Sequence, residues 1–479
     1  MSADLLTFGE FLDLMLRRKR LTITELASLT HTKSRNSIHR LLHDECGIEI
    51  IEAFADKLLT LLPLSSDREE IARMNDSIEV SRYGKNTIKA RHILYHLCDD
   101  TPNHYGAVSG KLKETFESYR NYKKITIFVY DLIAGELLPI ISSFIRASLG
   151  TAIHIEHIIL IHDDPALNAQ TFSAILKLIN YKNYFAYFDS FYDSNAAFPL
   201  SRMNRSNFMV IEKLSQDETL QTDLISLDQD QNLSILLDNP GNSLFRFYQE
   251  NLTFVKSHCR PIRKSYDAPG ALDKLISICE FLLQLEKTSS DYAIKQNMCF
   301  QIIPVDISYQ MLKDANYLGY DKDHPKIQKL IQINTERFQN YYHSDKKKVQ
   351  LYTRRGLIDF AKHHILSDQF YQFRDFTDAE VKYTIGYLLQ ALSKNPNFQI
   401  YLLNDDYKIG NIEYIYYEHN ALYLFDSCSG YDEDLDEGII TAKPFLDLFD
   451  DFIKNELIPK HTCSREETIA FLEELWQAR

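Results

Sequence analysis

The first sixty residues place apolar side chains at helical spacing. The pattern predicts one helix over residues 7–18 and another over 48–62, the second of which ends just before a proline. In the first helix the apolar positions follow the i, i+3, i+4, i+7 spacing that forms a single helix face: Phe8, Phe11, Leu12 and Met15. The chain therefore begins with a helical segment that can bury one side.

The stretch between these two helices, residues 22–43, predicts two short helices joined by a tight turn. Thr22 and Glu25 have the spacing of a capping box, in which each side chain accepts a hydrogen bond from the backbone N–H of the other residue. Ser34 can cap the second helix in the same manner. The apolar residues of that helix share one face: Ile38, Leu41 and Leu42. Its basic and amide side chains therefore point away from the core.

After residue 123 the pattern changes to short β-branched and aromatic runs. The predicted strands are 125–133, 153–161, 184–188, 206–214 and 233–237, and the predicted helices between them are 135–148, 168–180 and 244–257. Strands that alternate with helices are typical of an α/β layer structure. We therefore predict such a structure over about 123–262.

The last part of the chain follows a long predicted helix that covers most of 265–295. Strands are predicted at 300–305, 349–352, 399–403, 412–418 and 421–425, and helices at 325–342, 357–364, 378–394, 444–457 and 465–477. His419 and Asn420 lie between two of these strands and predict a two-residue hairpin turn. The alternation again indicates a mixture of strands and helices.

Composition narrows the class of protein. Of 479 residues, 45% are hydrophobic and 25% charged, which is ordinary for a globular chain, and the 15 glycines argue against a glycine-rich nucleotide loop. Seven cysteines are scattered without a CxxC pair, which favours free thiols in a reducing cytoplasm. No apolar run is long enough to span a bilayer, and the basic cluster 17–20 follows the first apolar stretch, an order that does not suit a signal peptide. We therefore expect a cytoplasmic protein with no membrane partner.

Charge is distributed unevenly. The formal net charge is −14, which argues against a general nucleic-acid binder. Residues 17–43, however, hold seven basic residues and only one acid, Glu25. A basic stripe on a small head attached to an acidic body is suited to local contact with DNA phosphates.

The residues of the 22–43 stretch resemble the helix-turn-helix of bacterial repressors of the Cro/repressor class. The resemblance implies that the second helix enters the major groove, where Arg and Asn match the edges of guanine and adenine. The side chains expected to contact bases are Arg35, Asn36, His39 and Arg40. Those expected to position phosphates are Arg17, Arg20, Lys33 and Ser34.

The strand–helix order after residue 123 loosely resembles degenerate phospholipase-D-like sensor domains, which occur behind helix-turn-helix modules. The resemblance also uses a late strand and helix followed by Cys259, Arg260 and Pro261. Active members of that family need an HxKxxxxD motif for nucleophile, phosphate clamp and orienting group. The sequence contains no such motif, so the resemblance implies a sensor without catalysis.

Fold class and domain limits follow from these patterns. We expect a multidomain chain in which an all-α helix-turn-helix domain precedes an α/β regulatory region with mixed sheets. The expected segments are a DNA-binding domain at 1–65, a helical connector at 66–122, a sensor-like α/β domain at 123–263, a linker helix at 264–296 and an α+β domain at 297–479.

Other polar groups offer weaker candidates. The acidic run 432–438 has its glycine one place too late for a calcium loop, and a solvated loop is favoured. His154 and Glu156 share one face of a predicted strand, but nothing nearby in the sequence completes an acid–base set. Three other groups are candidates, and for each we favour a structural alternative. Asp163 and Asp164 could bind metal or ribose, but a turn is favoured; His363, His364 and His419 could be metal ligands, but structural roles are favoured. Aromatic residues at 185–192, 370–373 and 414–417 could line an effector pocket or a peptide groove, but core packing is favoured. We therefore predict no catalytic residue, metal site or cofactor.

The function predicted from the sequence is a transcriptional regulator. Residues 1–62 would bind double-stranded operator DNA as a homodimer, and the larger body would sense a small molecule or peptide effector. One alternative is a phosphodiesterase-like or nuclease-like enzyme directed to DNA by its N-terminal head. A third possibility is that the helical head binds another protein within a larger assembly.

Overall fold

The structure is a computed structural model of the whole chain. Contacts divide it into two units, one formed by Met1–Ile93 with Asp164–Ala166 and the other by Leu94–Asp163 with Leu167–Arg479. No helix among the described residues is long and apolar enough to cross a membrane. The residues that the structure describes are 5–32, 34–61, 68–97, 115–130, 152–179, 183–189, 207–227, 233–238, 246, 248–250, 252–253, 256–257, 259–262, 271–314, 323–367, 374–410, 412–426 and 437–479.

In the described residues of the first unit the secondary structure is helical. The helices are α1 (Phe8–Lys19), α2 (Ile23–Leu29), α3 (Arg35–Leu42), α4 (Ile48–Leu61), α5 (Arg68–Tyr83) and α6 (Lys85–Tyr95), the last of which runs into the second unit. The capping box of Thr22 and Glu25 is present at the start of α2, and Ser34 caps α3 by accepting from the Asn36 N–H. These local predictions are confirmed.

The core of the first unit is formed by the apolar faces that the periodicity predicts. Phe8, Leu12, Leu26, Ile38 and Leu58 are fully buried. Helices α1 and α3 approach closely at Gly9, where an added Cβ would lie 2.6 Å from the Leu42 carbonyl oxygen. A glycine is therefore required for this approach.

The N-terminus of α1 is held by a residue from beyond α3. Asp44 accepts the Thr7 hydroxyl and, at 2.9 Å, the backbone N–H of Gly9. A carboxylate at this position satisfies free N–H groups and complements the positive end of the helix dipole. Asp44 itself adopts a left-handed backbone conformation, with φ of 53°.

The second unit contains two mixed β-sheets. The first has the order β6-β5-β4-β1-β2-β3-β7, in which β1, β2 and β3 are parallel and the other pairs are antiparallel. Its strands are β1 (Lys124–Tyr130), β2 (Ala152–Ile159), β3 (Tyr184–Asp189), β4 (Asn207–Leu214), β5 (Leu220–Leu227), β6 (Leu233–Asp238) and β7 (Cys259–Pro261).

The second sheet has the order β10-β9-β8-β11-β12-β13, with β8, β9 and β10 parallel. Its strands are β8 (Asp291–Lys295), β9 (Lys348–Thr353), β10 (Phe398–Leu403), β11 (Ile412–Tyr417), β12 (Ala421–Asp426) and β13 (Glu437–Ile440). The other α-helices among the described residues are α7 (Pro165–Ile179), α8 (Ala271–Thr288), α9 (Val305–Asp314), α10 (Pro325–His343), α11 (Arg354–His363), α12 (Asp378–Lys394), α13 (Lys443–Phe452), α14 (Ile458–His461) and α15 (Arg465–Gln477).

A buried ionic network lies between the second sheet and its covering helices. Lys348 and Asp291 are adjacent on parallel strands and pair at 2.6 Å with both side chains fully buried. Glu286 of α8 pairs with Arg337 of α10, also at 2.6 Å. Tyr341 donates to Asp291 at 2.7 Å. Charges with so little exposure are tolerated because each one has a direct partner.

Two sequence predictions about elements were wrong, and several elements were not predicted. Residues 291–295 form strand β8, although the segment 265–295 was expected to be mostly one helix. Phe300–Ile302 is a 3-10 turn that leads into α9, although a strand was expected at 300–305. The strands β5, β7 and β13 and the helix α9 were not predicted. The two ends of β8, Asp291 and Lys295, are charged, so the sequence pattern did not indicate a strand. In the structure β8 pairs with β9 and β11.

The coarse fold prediction, helices combined with mixed sheets in an α/β arrangement, is confirmed; the structure has two such sheets. A hairpin is present between β11 and β12, but its connection has three residues, Glu418–Asn420, because Tyr417 pairs with Ala421; the predicted two-residue turn is therefore wrong in length. His419 in this connection adopts the left-handed conformation, with φ of 58°. Predicted elements at 135–148, and the acidic run over 432–436, lie outside the described residues.

Candidate active site on the first sheet

One face of the first sheet carries a half-buried group of titratable side chains. His154 and Glu156 lie on β2, and Glu212 lies on β4. Thr126 of β1 is in register with both His154 and Glu212, so these two side chains flank it on the same face. Residues two apart on a strand share a face, which places Glu156 there as well.

Glu156 is the centre of this group. One of its oxygens lies 3.2 Å from His154 Nε2, and the other accepts from Lys256 Nζ at 2.7 Å. The side chains are 32%, 18% and 34% exposed for His154, Glu156 and Lys256, respectively. The group is therefore shielded enough for its charges to interact strongly but still open to solvent and to a ligand.

The two carboxylates of the site occupy different environments. Burial raises the pKa of Glu212, Lys124 opposes the shift, and the like charge of Glu156 adds to it. Gln249 donates to Glu212 at 2.9 Å. Burial lowers the pKa of Lys256, but the hydrogen bond and charge of Glu156 outweigh it, so the net shift is upward. A carboxyl group whose pKa is raised by burial is suited to the role of a general acid.

Aromatic rings border the polar group. The Lys256 ammonium lies 5.0 Å from the centre of the Tyr187 ring, within range of a cation–π interaction. The ring of Phe185 lies 5.0 Å from that of His154. Both aromatic residues come from β3, next to β2 in the sheet. These rings limit the freedom of the imidazole and the ammonium.

His157, on the opposite face of β2, has a different environment. It is fully buried, its Nδ1 lies 2.8 Å from the Tyr184 hydroxyl, and burial lowers its pKa to about 3. This imidazole is therefore neutral near pH 7 and serves packing. The prediction that His154 and Glu156 share one face, with His157 on the other, is confirmed.

Sequence reasoning found only part of the site. It noted His154 and Glu156 but predicted no catalytic residue, because the completing groups are far along the chain. Lys256 is 100 positions from Glu156. The available signal was the placement of two titratable residues on one face of an otherwise apolar strand.

The side chains predicted to contact DNA are exposed wherever the structure describes them, namely Arg17, Arg20, Ser34, Arg35, Asn36, His39 and Arg40. Lys33 lies outside the described residues. Several basic groups of the stripe are already paired. Arg17 pairs with Asp13 at 2.6 Å, Lys19 pairs with Glu70 at 2.9 Å, and Arg40 donates to the Glu45 carbonyl. The assignment of these residues as a binding site stays a prediction.

Asp164 and the tyrosines of 414–417 have structural roles. Asp164 accepts from the Ala166 N–H at 2.8 Å and so begins α7, as a turn residue would. Tyr414, Tyr416 and Tyr417 are buried in the second sheet. His363 is exposed near the end of α11. The aromatic positions 191–192 and 370–373 lie outside the described residues.

No protein-family model and no curated protein matches the chain. Among solved structures, the chain is similar to a polyphosphate kinase from Porphyromonas gingivalis, with 7% identity, a TM-score of 0.23 and coverage of 77% of this chain. It spans only 54% of the length of that kinase. It is also similar to a phosphatidylserine synthase from Haemophilus influenzae Rd KW20, with 12% identity, a TM-score of 0.26 and coverage of 82% of this chain and 98% of the other.

These two structures are enzymes, and neither is a DNA-binding regulator. The predictions of a transcriptional regulator and of a chain without enzymatic activity are therefore wrong. The partners predicted with them are not retained: double-stranded DNA, a second copy of the chain and an effector. At these TM-scores the two likenesses assign neither a reaction nor a residue to this chain.

Proposed function

We propose that the chain is an enzyme that cleaves or transfers a phosphoester group at the His154, Glu156 and Lys256 cluster. The observation that carries the proposal is the single carboxylate of Glu156 in contact with both an imidazole and an ammonium. Such a group combines an oriented imidazole with a cation suited to phosphate oxygens.

Each side chain has a role that follows from its contacts. Glu156 holds His154 through Nε2, which leaves Nδ1 to act as nucleophile or general base. Lys256 would hold a substrate oxygen while it keeps its contact with Glu156. Glu212, whose pKa is raised mainly by burial, would donate a proton to the leaving oxygen.

The resemblance to phospholipase-D-like domains is retained as part of this proposal. In that family one HxKxxxxD motif contains the imidazole, the ammonium and the orienting carboxylate. In this chain the same three kinds of group come from β2 and from the helical segment at Lys256. The imidazole, the ammonium and the carboxylate can therefore act together although the sequence lacks the motif.

A chromogenic phosphodiester, bis(p-nitrophenyl) phosphate, tests the proposal with the full chain. We expect hydrolysis that falls roughly 10²–10⁴-fold in His154→Ala, the usual range for loss of an acid–base group. Lys256→Met should also reduce kcat/KM. The exposed residues of α11 provide matched controls, His363→Ala and Lys362→Met, which should retain full activity. Activity that survives in His154→Ala, or is absent from the wild-type chain with this ester, would overturn the proposal.

We also propose three finer assignments. Helices α2 and α3 form a helix-turn-helix, which their caps and the burial of Leu26 and Ile38 support. The five segments inferred from the sequence are kept as a domain hypothesis. The described cysteines form no disulfide with one another, which supports a place of action in the cytoplasm.

A further inference from the structure

A second cluster of ligand-type side chains lies at the hairpin between β11 and β12. Glu418 and His419 follow β11 directly, and Asp450 projects from α13. One side-chain ligand atom from each of the three residues lies within 4.8 Å of the other two. None of them belongs to the cluster on the first sheet.

The backbone and neighbouring hydroxyls hold these three residues in place. The Glu418 N–H donates to the Ser290 carbonyl at 2.9 Å, which ties the hairpin to the start of β8. The Tyr416 hydroxyl accepts from the His419 N–H at 3.2 Å and donates to an Asp450 oxygen at 3.1 Å. The hydrogen bonds to that hydroxyl link His419 and Asp450. Such outer contacts orient ligand side chains before a metal arrives.

A cation already lies between the two carboxylates. Lys454 Nζ is 2.6 Å from Asp450 and also contacts Glu418. Lys454 belongs to a π-helical turn, Ile453–Leu457, which follows α13, and such turns are frequent at functional sites. Its side chain is 34% exposed. The ammonium can therefore swing into solvent when another cation takes its place.

We propose that Glu418, His419 and Asp450 bind one divalent transition-metal ion, for which Zn²⁺ is the best match. An imidazole nitrogen with two carboxylate oxygens suits Zn²⁺ better than Ca²⁺ or Mg²⁺, which prefer all-oxygen sites. Three protein ligands leave a fourth position for water, as in zinc sites that are open to a further ligand. Ion binding would break the contacts of Lys454 with Glu418 and Asp450.

The test uses the full chain, stripped with a chelator, and Zn²⁺ titrated by calorimetry. Co²⁺ serves as a spectroscopic probe because its visible absorption reports the ligand field. We expect one equivalent of Zn²⁺ per chain, weakened at least tenfold in His419→Ala and in Asp450→Asn. His363→Ala is the matched control and should bind as the wild type does. Lys454→Met should bind more tightly, because the competing ammonium is gone.

Two results would overturn the site. The first is the lack of a stoichiometric ion in the wild-type chain, whatever the behaviour of Lys454→Met. The second is undiminished binding in both His419→Ala and Asp450→Asn, which would place the ion on other residues. His419 is exposed, so its replacement should leave the fold intact, and circular dichroism of each variant checks this.

Discussion

Replacement of Lys348 by methionine tests whether the buried ionic network holds the second sheet together. Lys348 is fully buried and donates to three oxygens: Asp291 Oδ2 at 2.6 Å, the Glu286 carbonyl at 2.6 Å and the Ser289 carbonyl at 3.0 Å. Methionine fills a similar volume but has no donor. The Lys348→Met variant would therefore leave a buried carboxylate without its cation and two carbonyls without a donor.

The expected cost is about 3–5 kcal/mol in the free energy of unfolding, the range for removal of one partner from a buried pair. The double variant Lys348→Met, Asp291→Asn removes both charges and should be less destabilised than Lys348→Met alone. Tyr341 can still donate to the new amide oxygen, because its hydroxyl donates to Asp291 Oδ1 at 2.7 Å in the wild type. Urea unfolding followed by tyrosine fluorescence and circular dichroism measures both variants.

The pH dependence of Lys348→Met gives an independent check. Burial raises the pKa of Asp291, and Lys348 opposes the shift. Without the ammonium the folded-state pKa should rise further above its unfolded value of about 3.9. A carboxyl group with a raised pKa binds its proton more tightly when folded, so its stability contribution is complete at low pH and lost as pH rises. Lys348→Met should therefore be less destabilised at pH 5 than at pH 8.

Two outcomes would refute this reasoning. One is a Lys348→Met variant that unfolds within about 1 kcal/mol of the wild type, since surface substitutions already span ±0.5 kcal/mol. The other is a double variant less stable than Lys348→Met, which would mean that charge pairing is not the source of the cost. Lys362→Met, at an exposed position of α11, is the control.

Three further predictions concern the remaining parts of the chain. Gly9→Ala should destabilise the first unit by about 1–3 kcal/mol in thermal unfolding, because the added Cβ would lie 2.6 Å from the Leu42 carbonyl oxygen. Gly47→Ala is the control and should leave the stability unchanged, because an added Cβ there has no atom within 4 Å. Thr22→Ala should cost about 1 kcal/mol by loss of the cap of α2; an unchanged unfolding midpoint would contradict the capping box. Glu212→Gln should lower kcat, and kcat of the variant should no longer fall as pH rises through the raised pKa of Glu212. If kcat of the variant still falls over the same pH range, that fall belongs to another group.

Local signals were enough for many helices and several strands. The bounds predicted for α12 and α15 agree with those observed, Asp378–Lys394 and Arg465–Gln477. Both helices begin with a capping box, Thr377 with Glu380 and Ser464 with Glu467. A capping box involves residues only three positions apart, so it can be recognised without any knowledge of the fold.

Tertiary structure decided the sites. His154 and Glu156 share a face by strand alternation alone, but Lys256 reaches Glu156 only because the fold brings together segments 100 positions apart. Likewise, the basic stripe of the first unit has one acid within its own sequence, while Glu70 reaches Lys19 from a different helix. Hydrophobic periodicity and capping depend on neighbours within about four residues, so the sequence determines them. The partners of charged groups depend on the packing of distant segments, which only the tertiary structure determines.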